Sequence, residues 1–471
     1  MNENLLQYAW QCKLFSFKNL HTTDGSCVEV IDVGQLNHDA GPDFFNAKIK
    51  IDDTFWAGNV EIHRNASDWF KHHHETDDRY DSIILHVVEK SDTQIFRKNG
   101  EKIPQMELSV LQDVKEKYER IKEGEGWIRC EKFWNTIDPI FLKFQISHLA
   151  YERVFRKAEI IQDAYHTNQN DWASTFYQVL CRGFGMHTNT LPFELLAKSL
   201  PLHDLAKQKN NLSELEALLF GQAGLLPIVS EDQYELLLMQ NFKHLQAKFS
   251  LNPIDGSLWK FSKMRPTNFP HIRLAQLASL IHHSEHLFSK IIETEDLTTI
   301  RNLLQCTPSA YWDTHYRFGK ESSEKSKPLT LSAINSLIIN VVIPIKFAYL
   351  GIKGDELAQD DTLQLLEKIP PEKNSIIEGW EHLDLLSNDA FTSQALIELK
   401  TQYCDLGKCL RCQIGHHLLQ RPPHPKEHPT DPKVDFQLSD NQSKPLSYGT
   451  STEEEDGHKN PVHDPCEVLH E

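Results

Sequence analysis

The sequence is short of three things. Cysteine is sparse: nine in 471 residues, an odd number, with Cys12, Cys27, Cys130, Cys181, Cys306 and Cys466 standing singly. That argues against a disulfide scaffold and for a reducing compartment. No apolar run is long enough and clean enough to read as a membrane span. The best candidate, Ile334 to Leu350, is interrupted by Asn335, Asn340, Pro344 and Lys346 and reads as a buried helix. The start, MNENLLQYAWQCKLFSF, has no basic region and no apolar core, so a secretory signal is not expected. A cytoplasmic location with no membrane partner is the expectation that follows.

Positive charge is the third shortage. The formal net charge is −18, and hydrophobic residues make up only 39% of the chain. Part of both deficits falls between Arg421 and Glu471, which holds 8 of the 22 prolines and 11 acidic against 5 basic residues. Such a segment buries too little apolar surface to offset its ordering entropy, so residues 421–471 are expected to form a disordered tail. That tail carries −6, so the body keeps −12. A broad, nonspecific nucleic-acid binder would need the opposite sign to displace counterions.

What is present divides in two. Residues 1–110 alternate as a sheet does, after an opening helix expected over Asn4 to Phe17. Strands are expected at 28–33, 44–51, 56–63 and 83–88, the last a continuous apolar run suited to burial on both faces. Asn99-Gly100 predicts a hairpin between 95–98 and 101–107, with Pro104 marking an edge. From Ile140 the period becomes helical. Phe141, Phe144, Tyr151, Phe155 and Ala158 share one arc of a wheel, and later segments repeat that pattern to about residue 403. No fixed repeat period is present. The fold class expected is therefore α+β: a small mixed β-sheet domain over 1–115, a larger all-helical domain over 116–420, and the tail.

Chemistry concentrates between His38 and His86, where His63, His72, His73, His74 and His86 lie within 24 residues. Asp43 follows a Gly41-Pro42 turn and shares strand parity with Phe45, Ala47, Ile49 and Ile51. Glu61 and His63 are two apart and share one strand face, while Val60 and Ile62 take the other. Carboxylates on neighbouring strands suit Mg²⁺ or Mn²⁺, and a nitrogen base two residues on suits activation of water. His74, Asp77 and Tyr80 recur at i, i+3 and i+6, so Asp77 is placed to orient His74. Ser67 or Asp68 is expected to cap a helix, and His86 to donate to backbone within the sheet. Against this reading stands a satisfied polar core, with Asp43 and Glu61 paired to Lys48 or Arg64.

Pro42-Asp43 followed by Glu61-Ile62-His63, with a helix before and a helix and strand after, resembles the PD-(D/E)XK nuclease superfamily. The resemblance implies a restriction-endonuclease-like core and a nuclease acting on DNA or RNA. Asp43 and Glu61 would be metal ligands, and His63 would stand where family members carry a lysine. It also points, by position, to Glu3 on the first helix. The alternative is a non-catalytic nucleic-acid-binding or scaffold protein on that fold. A third reading is a metal-dependent hydrolase of other substrates using His63, His74, Asp77 and His86. Over about residues 1–415, the strings GPDFFNAKIKI, GNVEIH, YDSIILHVV, EALLFGQAGLL, RPTNFPHIRLAQLA and YCDLGKCLRCQIG resemble a bacterial family of unknown function, the one numbered 2851.

Two further features complete the reading. Cys404, Cys409 and Cys412 have the spacing of a partial Zn or Fe–S site, with Lys408 and Arg411 beside them. His416 or His417 is the nearest fourth ligand. The nuclease resemblance adds Cys130 or Cys306, since some of its exonucleases close an iron–sulfur cluster with one upstream cysteine. In the helical part, Arg265 and Arg273 flank a Pro-rich helix entry where phosphate would be favoured, unless the guanidiniums satisfy local oxygens. Tyr311, Trp312, Tyr316 and Arg317 offer rings for stacking bases, although such spacing more often marks core.

Overall fold

The computed structural model describes residues 3–37 and 39–420. The expected tail, 421–471, lies outside the described residues. The chain forms two compact units, Met1–Gln145 with the segment from Leu399 onward, and Ile146–Glu398.

The first unit is built on a mixed sheet. Helix α1 (Glu3–Gln11) buries Leu5, Leu6, Tyr8, Ala9 and Trp10. It stops well before Phe17, with Lys13 at φ 54°. Strands β1 (Val28–Asp32), β2 (Gln35–Leu36), β3 (Phe44–Ile51), β4 (Thr54–Asn65), β5 (Ile83–Lys90) and β6 (Gln105–Glu107) follow. Their order is β1-β3-β4-β5-β6, with β2 also on β3. β1, β3 and β4 form an antiparallel meander, whereas β5 runs parallel to β4 and β6 parallel to β5. The β4–β5 crossover carries the short helix α2 (Asp68–Lys71) and two 3-10 turns, as a parallel pair requires.

One core joins Leu6, Ala9 and Trp10 to Phe44, Ala47, Ile49, Val60, Ile62, Leu85 and Val87. The Trp10 indole donates to Val33 O at 3.0 Å. Three expectations are corrected here. The Asn99-Gly100 hairpin shrinks to a single bridge, Phe96↔Lys102, because Gln105–Glu107 pairs with β5 instead of with 95–98. Parity along β3 also breaks: Phe44, Ala47 and Ile49 are buried, and Phe45 is 39% exposed. The register shifts between Phe44 and Ala47, where Asn46 sits at φ 57°. A bulge of this kind inserts one residue and flips the facing of those before it. Finally, Ser67 precedes α2 without a side-chain cap bond. The Asp68 carboxylate instead accepts from Asn65 N at 2.9 Å.

The cysteine-bearing segment was expected to belong with the helices, and it folds into the first unit. Helix α3 (Gln112–Lys122) and helix α4 (Gln413–Gln420) meet there, with Lys117 Nζ donating to Leu419 O at 3.3 Å. Tyr8 OH lies 2.7 Å from His416 Nδ1, and the Phe141 and His417 rings stack at 4.1 Å.

The second unit is helical, with a small two-stranded ribbon at His315–Arg317 and Lys320–Glu321. Its core joins Phe184, Phe193, Phe220, Trp312 and Phe347. Leu331–Lys353 is long and apolar enough to cross a membrane, but it is mostly buried. Its centre, Ile338–Val342, forms a π turn. The Glu398 carboxylate, fully buried, takes Arg153 at 2.9 Å and Arg156 at 2.7 Å. The wheel face read from Phe141 onward is only partly covered: Ala158 is buried, Tyr151 is 41% exposed, and Phe144 of the first unit is 69% exposed.

Candidate metal centre

Two strands and one crossover bring the polar cluster together. Glu61 and His63 project from the same face of β4, and both are almost fully buried. His86 on β5 pairs in register with Glu61, so the parallel pairing sets its ring on the same face. His63 Nδ1 lies 2.8 Å from His86 Nε2. The expected backbone bond for the His86 ring is therefore replaced by a ring-to-ring contact.

The crossover supplies two more rings. Helix α2 ends at His72, and His73 takes a left-handed conformation, φ 60°. In a continuous helix, residues two apart face roughly opposite ways; with the left-handed step between them, both His72 and His74 lie beside His63, though His72 stays exposed. His63 Nε2 is 3.0 Å from His72 Nδ1. The His63 and His74 rings stack at 5.3 Å, and His74 stacks on Tyr80 at 3.8 Å. One ligand nitrogen from each of His63, His72 and His74 lies within 4.8 Å of the others. Glu61 Oε1 stands 3.4 Å from His63 Nε2 and 3.2 Å from His74 Nε2. His74 Nε2 is nonetheless buried without a hydrogen bond of good geometry. That orphaned nitrogen, in a set of imidazoles with one carboxylate oxygen, suits a transition-metal dication such as Zn²⁺ or Mn²⁺ better than Mg²⁺.

Asp43 stands at the margin of this set, half-buried. Its Oδ1 accepts from Gln7 Nε2 at 2.9 Å, and its Oδ2 from Ile62 N at 3.0 Å. In return, Glu61 Oε2 accepts from Asp43 N at 3.0 Å. Each carboxylate thus spends oxygen on the neighbouring strand's backbone, and Glu61 Oε1 is the one turned to the histidines. Neither pairs with Lys48 or Arg64. Glu3 lies in the electrostatic reach of His72, His74, Asp43 and Glu61.

Burial dominates the electrostatics. It raises Asp43 to about 7, helped by the Glu61 charge, and raises Glu61 to about 8, with Glu3 adding. Burial lowers His63 to about 2 and His86 to about 3, so both rings are neutral at physiological pH. His74 is lowered as well, again by burial first. Without a cation the site prefers protonated carboxyls.

The family model described as Protein of unknown function (DUF2851) matches residues 3–375. The chain belongs to this family. No curated protein and no solved structure matches it.

In this DUF2851 chain, several residues singled out in the sequence lie elsewhere. Asp77 does not orient His74; its carboxylate takes Arg79 N and Nε at 3.0 Å. Arg273 is buried in the helical unit, donating to Gln276 Oε1 at 2.9 Å and Asn268 Oδ1 at 2.8 Å. It therefore serves local amide oxygens and does not face a phosphate. Arg265 is exposed, one residue before the 3-10 turn Pro266–Asn268. Trp312 is wholly buried, with its indole donating to Tyr234 OH at 3.2 Å. Conversely, the sequence reading left His72 out of the metal set and Gln7 out of the site. A run of three histidines after a four-residue helix carried the composition, but no local signal for the left-handed step.

Proposed function

We propose that this chain is a divalent-metal-dependent phosphodiesterase, acting on DNA or RNA. The observation that carries the proposal is the convergence of His63, His72 and His74 nitrogens on Glu61 Oε1. Residues His63, His72, His74 and Glu61 would hold the ion, with Asp43 beside them. A divalent ion at such a site supplies Lewis acidity toward a phosphoryl oxygen and acidifies water. His63 Nδ1 lies against His86 Nε2 at 2.8 Å; with the proton on His63 Nδ1, His63 Nε2 would be the lone-pair nitrogen facing the site. Tyr80 and Trp69 wall off the His74 ring from solvent. Glu61 fixes the mouth of β3 through Asp43 N, and Asp43 fixes β4 through Ile62 N.

The order of helix, antiparallel meander, crossover helix and parallel strand supports the PD-(D/E)XK reading of the substrate class. His63 in the lysine position, neutral and held through Nδ1 by His86, would serve as a ligand and not itself relay protons to solvent.

The test is cleavage of single- and double-stranded DNA and RNA, and of bis(p-nitrophenyl) phosphate, with Mn²⁺, Zn²⁺ or Mg²⁺. Activity should vanish with EDTA and fall at least ~100-fold in His74→Ala and Glu61→Gln. Metal-dependent cleavage that survives both substitutions would defeat the proposal. A second reading, a non-catalytic nucleic-acid or protein scaffold, is favoured by the internal satisfaction of Asp43 and Glu61 and by the burial of Arg273. Metal-independent binding without turnover, unchanged in His74→Ala, would establish it instead.

A further inference from the structure

We propose that Cys130, Cys404, Cys409 and Cys412 form a four-thiolate metal centre in the first unit, with Cys130 as the fourth ligand. The four line one cavity together with Ile121, Arg129, Tyr403 and Gly415. None of the four is tied up in a disulfide. Cys130 lies in the electrostatic reach of Cys412 and Cys409, and Cys404 in that of Cys412, Cys130 and Cys409. The cavity measures about 20 Å³, the room of about one water, so the sulfurs around it would draw in on a shared ion.

The backbone around these thiols is built for close approach. Cys404 ends the π turn Leu399–Cys404, and Cys409 opens a 3-10 turn that brings Cys412 round. Gly407, between them, sits at φ 64°, where a Cβ would meet the Arg129 guanidinium at 2.7 Å. A Cβ on Gly415 would stand 2.0 Å from Cys409 O, so only glycine lets α4 press on the thiol-bearing turn. On the other side, a Cβ on Gly124 would lie 2.1 Å from Arg129 O, which fixes the loop that delivers Cys130.

Charge completes the argument. Four thiolates on Zn²⁺ carry a net −2; the Arg129 guanidinium stands beside Cys409, and the Lys400 ammonium, already paired with Asp405, lies in the electrostatic reach of Cys404. The other fourth ligands weighed from sequence are placed differently. His416 Nδ1 is engaged by Tyr8 OH, and the His417 ring lies flat on Phe141. Cys306 belongs to the helical unit, beside Arg273. On binding, each thiol gives its proton to solvent as its sulfur–metal bond forms.

The experiment is metal analysis and X-ray absorption on the full chain, purified without air. A His74→Ala background keeps ions at the histidine set from confusing the count. One zinc per chain with about four sulfur neighbours at ~2.3 Å is expected. Iron with acid-labile sulfide, lost in the same variants, would sustain the ligand set and replace zinc by a cluster. Cys130→Ser and Cys409→Ser should lose more than nine-tenths of the metal, whereas Cys27→Ser and Cys306→Ser keep it. If Cys130→Ser does not fold, Co²⁺ exchanged into the parent chain reports thiolate number through its sulfur charge-transfer intensity. Absence of stoichiometric metal, a sulfur count of three or fewer, or full retention in Cys130→Ser would overturn the proposal.

Discussion

Replacing Asp43 by asparagine should stabilise the metal-free first unit at pH 8. The Asp43 carboxyl is raised from 3.8 to about 7, chiefly by burial. Between those values the folded state holds a proton that the unfolded chain has released. Stability contributed by this group therefore falls as pH rises from about 4 to about 7, then stays low. About three pKa units at ~1.4 kcal/mol each give a cost of about 4 kcal/mol above pH 7. Asparagine removes that cost. It keeps an oxygen for Ile62 N, and Gln7 can turn its amide to meet the new NH₂. Losing a charged acceptor returns about 1–2 kcal/mol, so a net gain of about 2 kcal/mol remains. Hydrogen exchange of peptides over 44–65, in EDTA across pH 4 to 8, measures this unit's opening directly. The advantage of Asp43→Asn should be small near pH 4 and grow toward pH 7. A difference that is flat, or that shrinks as pH rises, would refute the reasoning.

Metal binding near pH 6.5 should release protons from Asp43 and Glu61, which calorimetry in buffers of different ionisation enthalpy reads as a sloped heat; a zero slope would contradict it. Gly34→Ala places a Cβ 2.5 Å from Phe45 O at φ 85°, and should cost about 3 kcal/mol by denaturant midpoint. Glu398→Ala strands the buried Arg153 guanidinium in the helical unit, while Arg156, 37% exposed, turns to solvent. A loss of about 3–5 kcal/mol is expected, with unfolding at unchanged denaturant concentration as the contrary result.

Much of the sheet was legible because burial leaves a period in the text. Phe44–Ile51 begins and ends where its apolar alternation does, and Ile83 to Val88 reads as the buried parallel strand it is. Parity failed at Phe45 because one bulged residue, Asn46, leaves no compositional trace. The hairpin failed because the best local turn signal lost to the open edge of β5, a long-range demand. The shared face of Glu61 and His63 was readable from spacing alone, since period two puts them on one side of the strand. His72 was not, because its place beside His63 depends on a backbone step at His73. Spacing said nothing of the upstream cysteine, and the nuclease resemblance offered Cys130 or Cys306 without choosing; a cavity lined by Cys130, Cys404, Cys409 and Cys412 joins positions more than 270 residues apart.

The first unit is interrupted by the second, and synthesis must respect that order. The chain reaches Gln145 long before Leu399, and at about 5–20 residues per second the gap lasts roughly 13–50 s. Throughout that interval the nascent sheet lacks α4, and Tyr8 and Lys117 lack the partners that they find in His416 and Leu419. The Cys130 thiol is likewise made well before its three neighbours, in a chain still tethered to the ribosome. The unit that holds the histidine set is therefore finished last, after the helical unit has been completely made, and a ribosome stalled within the helical unit would leave it open.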